Sequence, residues 1–146
     1  MSGPYGDAQA AIEALWATEW VALAESAPIR WHHNTKEAVP VRATDPHWLH
    51  LAIEFDGERV VAYGGGRQAN ERELEGSVVI RSLASMGLGE TECLRLLDAA
   101  IGCFRGRRVS GLSFIGEVTL RQPGAEEDGN WWIRSALVAF TYRFQG

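Results

Sequence analysis

Residues 72–108, RELEGSVVIRSLASMGLGETECLRLLDAAIGCFRGRR, read as a long strand, a short glycine turn and an amphipathic helix. In the strand, Leu74, Gly76, Val78 and Ile80 alternate with Glu73, Glu75, Ser77 and Arg81, so one face is apolar and the other mostly polar. Leu94, Leu97, Ile101 and Phe104 follow at spacings of three, four and three, which predicts one apolar helical stripe. Gly87 and Gly89 separate the two patterns. Gly106 stands where a helix ends in the left-handed conformation, and Arg105, Arg107 and Arg108 place cations at the negative end of the helix dipole. A strand and a helix of this kind bury one face each against the other, and the remaining strands must join the same sheet. The expected fold class is α+β: a single, mainly antiparallel or mixed sheet flanked by two helices, with a projecting β-hairpin.

The segments on either side fill in that plan. Residues 7–25 predict the first helix, with Asp7 as N-cap and Ala8, Ile12, Leu15, Trp16 and Leu23 on one face. Glu19 falls inside that face: either the stripe leaves the core near its end, or the carboxylate is offered to an arginine of this chain or a neighbour. Residues 27–45 are irregular around Pro28 and Pro40, with a short edge strand over 29–33. Residues 48–55 alternate cleanly, Asp56-Gly57 is a two-residue hairpin signal, and 58–63 form the return strand, ending in Gly64-Gly65-Gly66. The arm between Phe55 and Leu74 is expected to extend beyond the core. After the second helix, 109–115 and 117–122 read as one strand bent at Gly116, and 123–130 (PGAEEDGN) as an acidic turn-rich loop. Residues 131–144 are apolar on both faces, which predicts a strand in the middle of the sheet or at a subunit contact.

A chain of 146 residues with 46% hydrophobic and 23% charged residues fits one globular domain spanning 1–146. No apolar run approaches the roughly 18 residues of a membrane span, and MSGPYGDAQAAIEALW lacks a signal peptide's basic start and apolar core. The expected setting is cytoplasmic assembly without a membrane. Cys93 and Cys103 both fall in the predicted helix, about 15 Å apart along its axis, too far to bond to each other. A net charge of −5 argues against a protein that grips nucleic-acid phosphates. Thirteen of the fourteen basic residues are Arg, a side chain suited to fork-like pairing, though coding bias would produce the same excess.

Each candidate for chemistry has a plainer reading. His32, His33, Asp45, His47 and His50 cluster within nineteen residues, but adjacent histidines in a strand point to opposite sides, and zinc ligand pairs need defined spacing on a turn or helix. Packed or solvated imidazoles are the expectation, with no metal. Gly87-Leu88-Gly89 has neither a third glycine nor a Walker lysine, and Glu90 and Glu92 stand where an anion would bind. Gly64-Gly65-Gly66-Arg67 precedes a strand and has no helix dipole behind it. Residues 104–108 read better as a helix end than as a basic nucleic-acid patch. Glu126, Glu127 and Asp128 lie in a Gly/Pro loop with no acid–base partner nearby in sequence. No Ser–His–Asp or Cys–His arrangement stands out. The expectation is a non-enzyme without cofactors.

Laid out in this way, the chain resembles the tail terminator (tail completion) proteins of long-tailed phages and gene transfer agents. The likeness spans nearly the whole length. It comprises the N-terminal helix, Pro28-Ile29-Arg30-Trp31 with Asn34 after it, the strand 48–55, and Gly64-Gly65-Gly66-Arg67. It continues through Glu75-Gly76-Ser77-Val78-Val79-Ile80, Gly87-Leu88-Gly89-Glu90 and Phe104-Arg105-Gly106, and closes with Asp128-Gly129-Asn130-Trp131-Trp132. The longer 34–47 segment departs from the pattern. The resemblance implies a virion protein of the tail neck: a hexameric ring that caps the tail tube, stops its polymerisation and docks to the head connector or stopper, while DNA passes through without sequence-specific binding. Its expected partners are itself, the tail tube protein and the connector. Another neck component, such as a stopper or adaptor, and a small metal-dependent enzyme are the alternatives. On this reading the subunit contact falls on the arm, at Arg59, Tyr63, Arg67, Arg72 and Glu73.

Overall fold

The sheet is built around β3 (Glu71–Ser85), which has a long antiparallel partner on each side. The computed structural model describes residues 3–25, 27–33, 47–63, 70–85, 87, 89–121, 124–125 and 131–146. On one side β3 pairs with β2 (His47–Ala62), from His47↔Ala84 to Ala62↔Glu71. On the other it pairs with β8 (Trp131–Gln145), from Trp131↔Ser85 to Gln145↔Glu71. A short parallel strand, β1 (Ile29–Trp31), lies on β2. Along the far side of β8 run three short strands: β5 (Leu112–Ser113), β6 (Val118–Leu120) and β7 (Gly124–Ala125), with β4 (Arg108–Val109) outside β5. The result is an eight-stranded mixed sheet in an α+β fold, with the doubly apolar β8 inside it.

Both helices cover one face. α1 (Pro4–Ala22) contributes Ile12, Leu15, Trp16 and Trp20 to the core, and α2 (Gly89–Gly102) contributes Leu96, Leu97, Ala100 and Ile101. They meet Leu49, Leu51, Val78, Ile80, Ala136 and Val138, which the strand register places on one side of the sheet. Trp16 joins the layers: its ring stacks on Trp20 at 4.7 Å and on Phe104 at 5.5 Å, and meets Trp31 edge-on at 6.4 Å. Each large side chain buried in this way stabilises the fold by roughly 1.5–3 kcal/mol relative to exposure. The opposite face carries Trp48, His50, Arg81, Leu83, Ile133, Ser135 and Leu137, and no described helix lies over it.

Several boundaries and faces differ from expectation. Gly3, not Asp7, is the N-cap of α1; Pro4 occupies the first turn, and the Asp7 amide donates to the Gly3 carbonyl. The helix ends at Ala22, leaving Leu23 about half exposed while Trp20 takes the buried place. In α2 the inward stripe is Cys93, Leu96, Leu97, Ala100 and Ile101, and Leu94 is exposed. Phe104 and Gly106, at φ +73°, fall in the turn after the helix, and so does Cys103. No basic residue stands in the last turn of α2; Arg107 instead pairs with Glu19 across to α1 at 2.9 Å. Both cysteines are buried free thiols, and burial pushes Cys103 up to about 11.

Two turns moved. Asp56-Gly57 is not a hairpin: β2 runs straight through it, and a register shift between Phe55 and Gly57 absorbs one extra residue as a bulge with Gly57 at φ +146°. A two-residue turn of that kind occurs instead at Ser110-Gly111, both left-handed at φ 42° and 89°, where β4 turns into β5 within the stretch expected to be one strand. The connection over 64–69 lies outside the described residues, so the projecting tip of the expected hairpin does too.

Candidate functional site

Beyond the row Glu58–Leu74–Tyr142, β2, β3 and β8 continue with Glu73 as their one buried residue. Ladder hydrogen bonds and charges do most of the holding at this end, with Phe144 packed against the edge of the core. Arg59, Glu73 and Arg143 are Cα partners across the three strands, so positive, negative and positive side chains stand in one row on the face away from the helices. Arg59 Nη2 donates to Glu73 Oε1 at 3.0 Å and its Nε lies 3.2 Å from Glu75. Arg143 Nε donates to Glu73 Oε2 at 3.3 Å and its Nη1 to Glu71 at 3.1 Å. Glu73 is only 7% exposed and has an arginine on each oxygen, which is how a carboxylate survives burial there. The Arg59 guanidinium is held protonated above its ordinary range, first by the hydrogen bond to Glu73 and then by the charges of Glu75 and Glu73.

On the other face of the same strands, Arg72 Nη1 donates to Glu58 at 3.3 Å and its Nε to the Gly146 carbonyl, while the Gly146 amide donates to Asn70. Tyr63, just past β2, is 84% exposed. Arg67 lies outside the described residues. Of the five residues expected at a subunit contact, Arg59, Arg72 and Glu73 therefore share the end of the sheet, with Tyr63 beside them. Their charge pairs close within the chain, and Arg143, which sequence reasoning missed, supplies the second partner of Glu73. Its position was hidden because alternation along β8 does not reveal which strand lies beside it.

Next to this row, a cleft of about 520 Å³ opens between Glu73, Arg108, Val109, Ser113, Thr141 and Arg143. Ser113 Oγ is buried there without a partner, and exposed Val109 and Ile115 stand among the lining side chains. The arrangement is a fixed pattern of charges and donors suited to recognition. The four histidines lie elsewhere and do not gather. His47 Nδ1 bonds Glu92 at 2.7 Å, His33 bonds Glu13, and the rings of His32 and His50 stand 5.7 Å apart. Among the described residues no three of His, Cys, Asp and Glu converge on one point; Asp45, Glu126, Glu127, Asp128 and the Gly64–Arg67 stretch lie outside them. No described helix is long and apolar enough to cross a membrane.

No family model and no curated protein matches this chain. Ten solved chains are similar to it by structure. One of these, which carries a sequence label and no functional name, aligns over 94% of this chain and 97% of its own at a TM-score of 0.62, with 12% of residues identical. That likeness extends to the fold.

Proposed function

We propose that this protein is a structural component of a phage-type tail neck: a ring-forming tail terminator that caps the tail tube and joins it to the head connector. The observation that carries the reading is the charge-held end of β2, β3 and β8. Three strands run on past the last buried row, held by Arg59, Glu73 and Arg143, with Tyr63 presented to solvent beside them. A lone monomer gains little from such an extension, whereas a neighbouring subunit gains backbone hydrogen-bonding groups and a charge pattern that sets register. The resemblance of nearly the whole chain, the 34–47 segment excepted, to tail terminators points the same way. No cofactor enters this reading.

The test is to shorten residues 64–70. The shortened chain should keep its circular dichroism spectrum, fail to form rings in sedimentation and electron microscopy, and leave tails of irregular length unjoined to heads. Normal rings and normal tails from that variant would remove the arm from the assembly mechanism.

A further inference from the structure

A second row of charges crosses the same face of the sheet, away from the helices and nearer the start of β2, and it is built differently from the arm. Arg30 of β1, His50 of β2 and Arg81 of β3 are successive Cα partners, and Ser135 of β8 follows Arg81. Adjacent strands lie about 4.8 Å apart, so two guanidiniums flank one imidazole with no acid between them. The His32 ring stands 5.7 Å from that of His50. Trp48, two residues before His50 on the same face, lies 6.4 Å from the His50 ring and 6.3 Å from the Trp131 ring, both edge-on.

Among the described residues, neither Arg30 nor Arg81 makes an ion pair. Among the described residues, three nitrogens of the cluster, Arg30 Nε, His50 Nδ1 and Trp48 Nε1, are buried without a hydrogen-bond partner. The one carboxylate on this face of β2 is Glu54, four residues along from His50. Like charges placed opposite each other destabilise a sheet, and buried donors without acceptors destabilise it further. The arm row shows the same sheet alternating its charges where it is complete. Desolvation, then the charges of Arg81, His32 and Arg30, hold the His50 pKa below its ordinary value, as expected where cations outnumber acceptors.

We infer that the Arg30–His50–Arg81 row, with Trp48 and Trp131 beside it, is a docking surface for carboxylates of a second copy of this chain. Asp and Glu outnumber Lys and Arg 19 to 14, so removing this cationic row leaves the rest of the molecule more acidic still. Another copy brings acceptors to it, whereas a net charge of −5 repels a nucleic acid. The two tryptophans supply the aromatic anchors typical of protein contacts. A surface that meets a different, acidic surface of its neighbour makes a head-to-tail contact, the type that closes rings. The inference rests on the proposed reading that the chain assembles with itself, and it adds a contact separate from the arm.

The experiment uses Arg81→Gln and the double variant Arg30→Glu/Arg81→Glu, with sedimentation velocity at low and high salt, thermal melts, and binding to single- and double-stranded DNA oligonucleotides. Arg81→Gln should melt no lower than the parent, because it relieves a like-charge row, yet weaken self-association by about tenfold or more. Salt should weaken the parent's association and affect the double variant little. Unchanged association of both variants overturns the inference and leaves the terminator reading intact. Association through this row that yields closed dimers and no rings supports the inference and overturns the terminator reading. A lower melting temperature for Arg81→Gln would mean the row is satisfied within the chain, and Arg81-dependent DNA binding would mean its occupant is phosphate. Either result overturns the inference.

Discussion

Gly76 sits between Phe55 and Phe140, its Cα partners on either side, whose rings meet edge-on at 6.1 Å. A Cβ at this position would lie 2.3 Å from the Glu54 carbonyl oxygen and 2.8 Å from Phe140 Cζ. The first of these is backbone and cannot swing aside. Gly76→Ala should therefore cost about 1–3 kcal/mol or more through overpacking, read as a lower urea midpoint with an unchanged slope. A stability within error of the parent would mean that the two aromatic rings and the backbone are loosely held. Alternation placed Gly76 on the apolar face, but nothing in the sequence revealed the two rings closing around it. A second residue-scale prediction concerns Glu92. The hydrogen bond from Arg95, aided by one from His47, holds its carboxyl down at about 2 against burial, which acts the other way. A folded-state pKa below the unfolded one stabilises the native state above roughly pH 4.5, and that contribution disappears as pH falls towards 2. Urea midpoints measured from pH 6 to pH 2 should fall less steeply for Glu92→Gln than for the parent; parallel curves would mean the pairing adds nothing.

At the scale of elements, α2 and β3 form the tightest test of the core. Ile101 is 2% exposed and Val78 is fully buried, and they belong to one apolar cluster. Ile101→Ala should cost about 2–5 kcal/mol and Val78→Ala somewhat less, whereas Leu94→Ala, on the exposed side, should change stability by no more than about 0.5 kcal/mol. Thermal melts of the three variants decide the matter, and a large loss at Leu94 would mean the helix is rotated. The existence of both elements was legible because strand alternation and helical spacing are local. The orientation of the α2 stripe was not. Leu94 fits the three-four-three spacing as well as Leu96 does, and only the sheet decides which side is inward. Asp56-Gly57 shows the same competition more sharply. Its local turn preference lost to a ladder that pairs β2 with β3 over nearly its full length, and a bulge took up the difference. Ser110-Gly111 makes a two-residue turn instead, a weaker local signal in a place where two short strands had room to fold back.

For the whole molecule, the apolar faces of residues 131–144 narrowed that strand to the middle of the sheet or a subunit contact, and the pairing of β8 with β3 on one side and with β5, β6 and β7 on the other puts it inside the sheet. The charge pattern of the face away from the helices was beyond reach, since Arg30, His50 and Arg81 come from three strands and form a row only through register. Register also decides what is left unpaired. Among the described residues, β1 covers β2 only from Leu49 to Leu51, so the outer backbone of Ala52–Ala62 has no strand beside it. A bare edge of that length is a template for fibril growth, and Glu54, Asp56, Glu58 and Arg59, together with the bulge at Gly57, are the devices that keep strangers off it. Glu54→Thr/Asp56→Thr should therefore shorten the lag before thioflavin-positive aggregates form, with little change in melting temperature. A lag equal to the parent's would mean the bulge alone protects the edge. If the lag shortens as expected, the acidity of this strand is a form of quarantine, keeping an unpaired edge from joining stray strands of other copies.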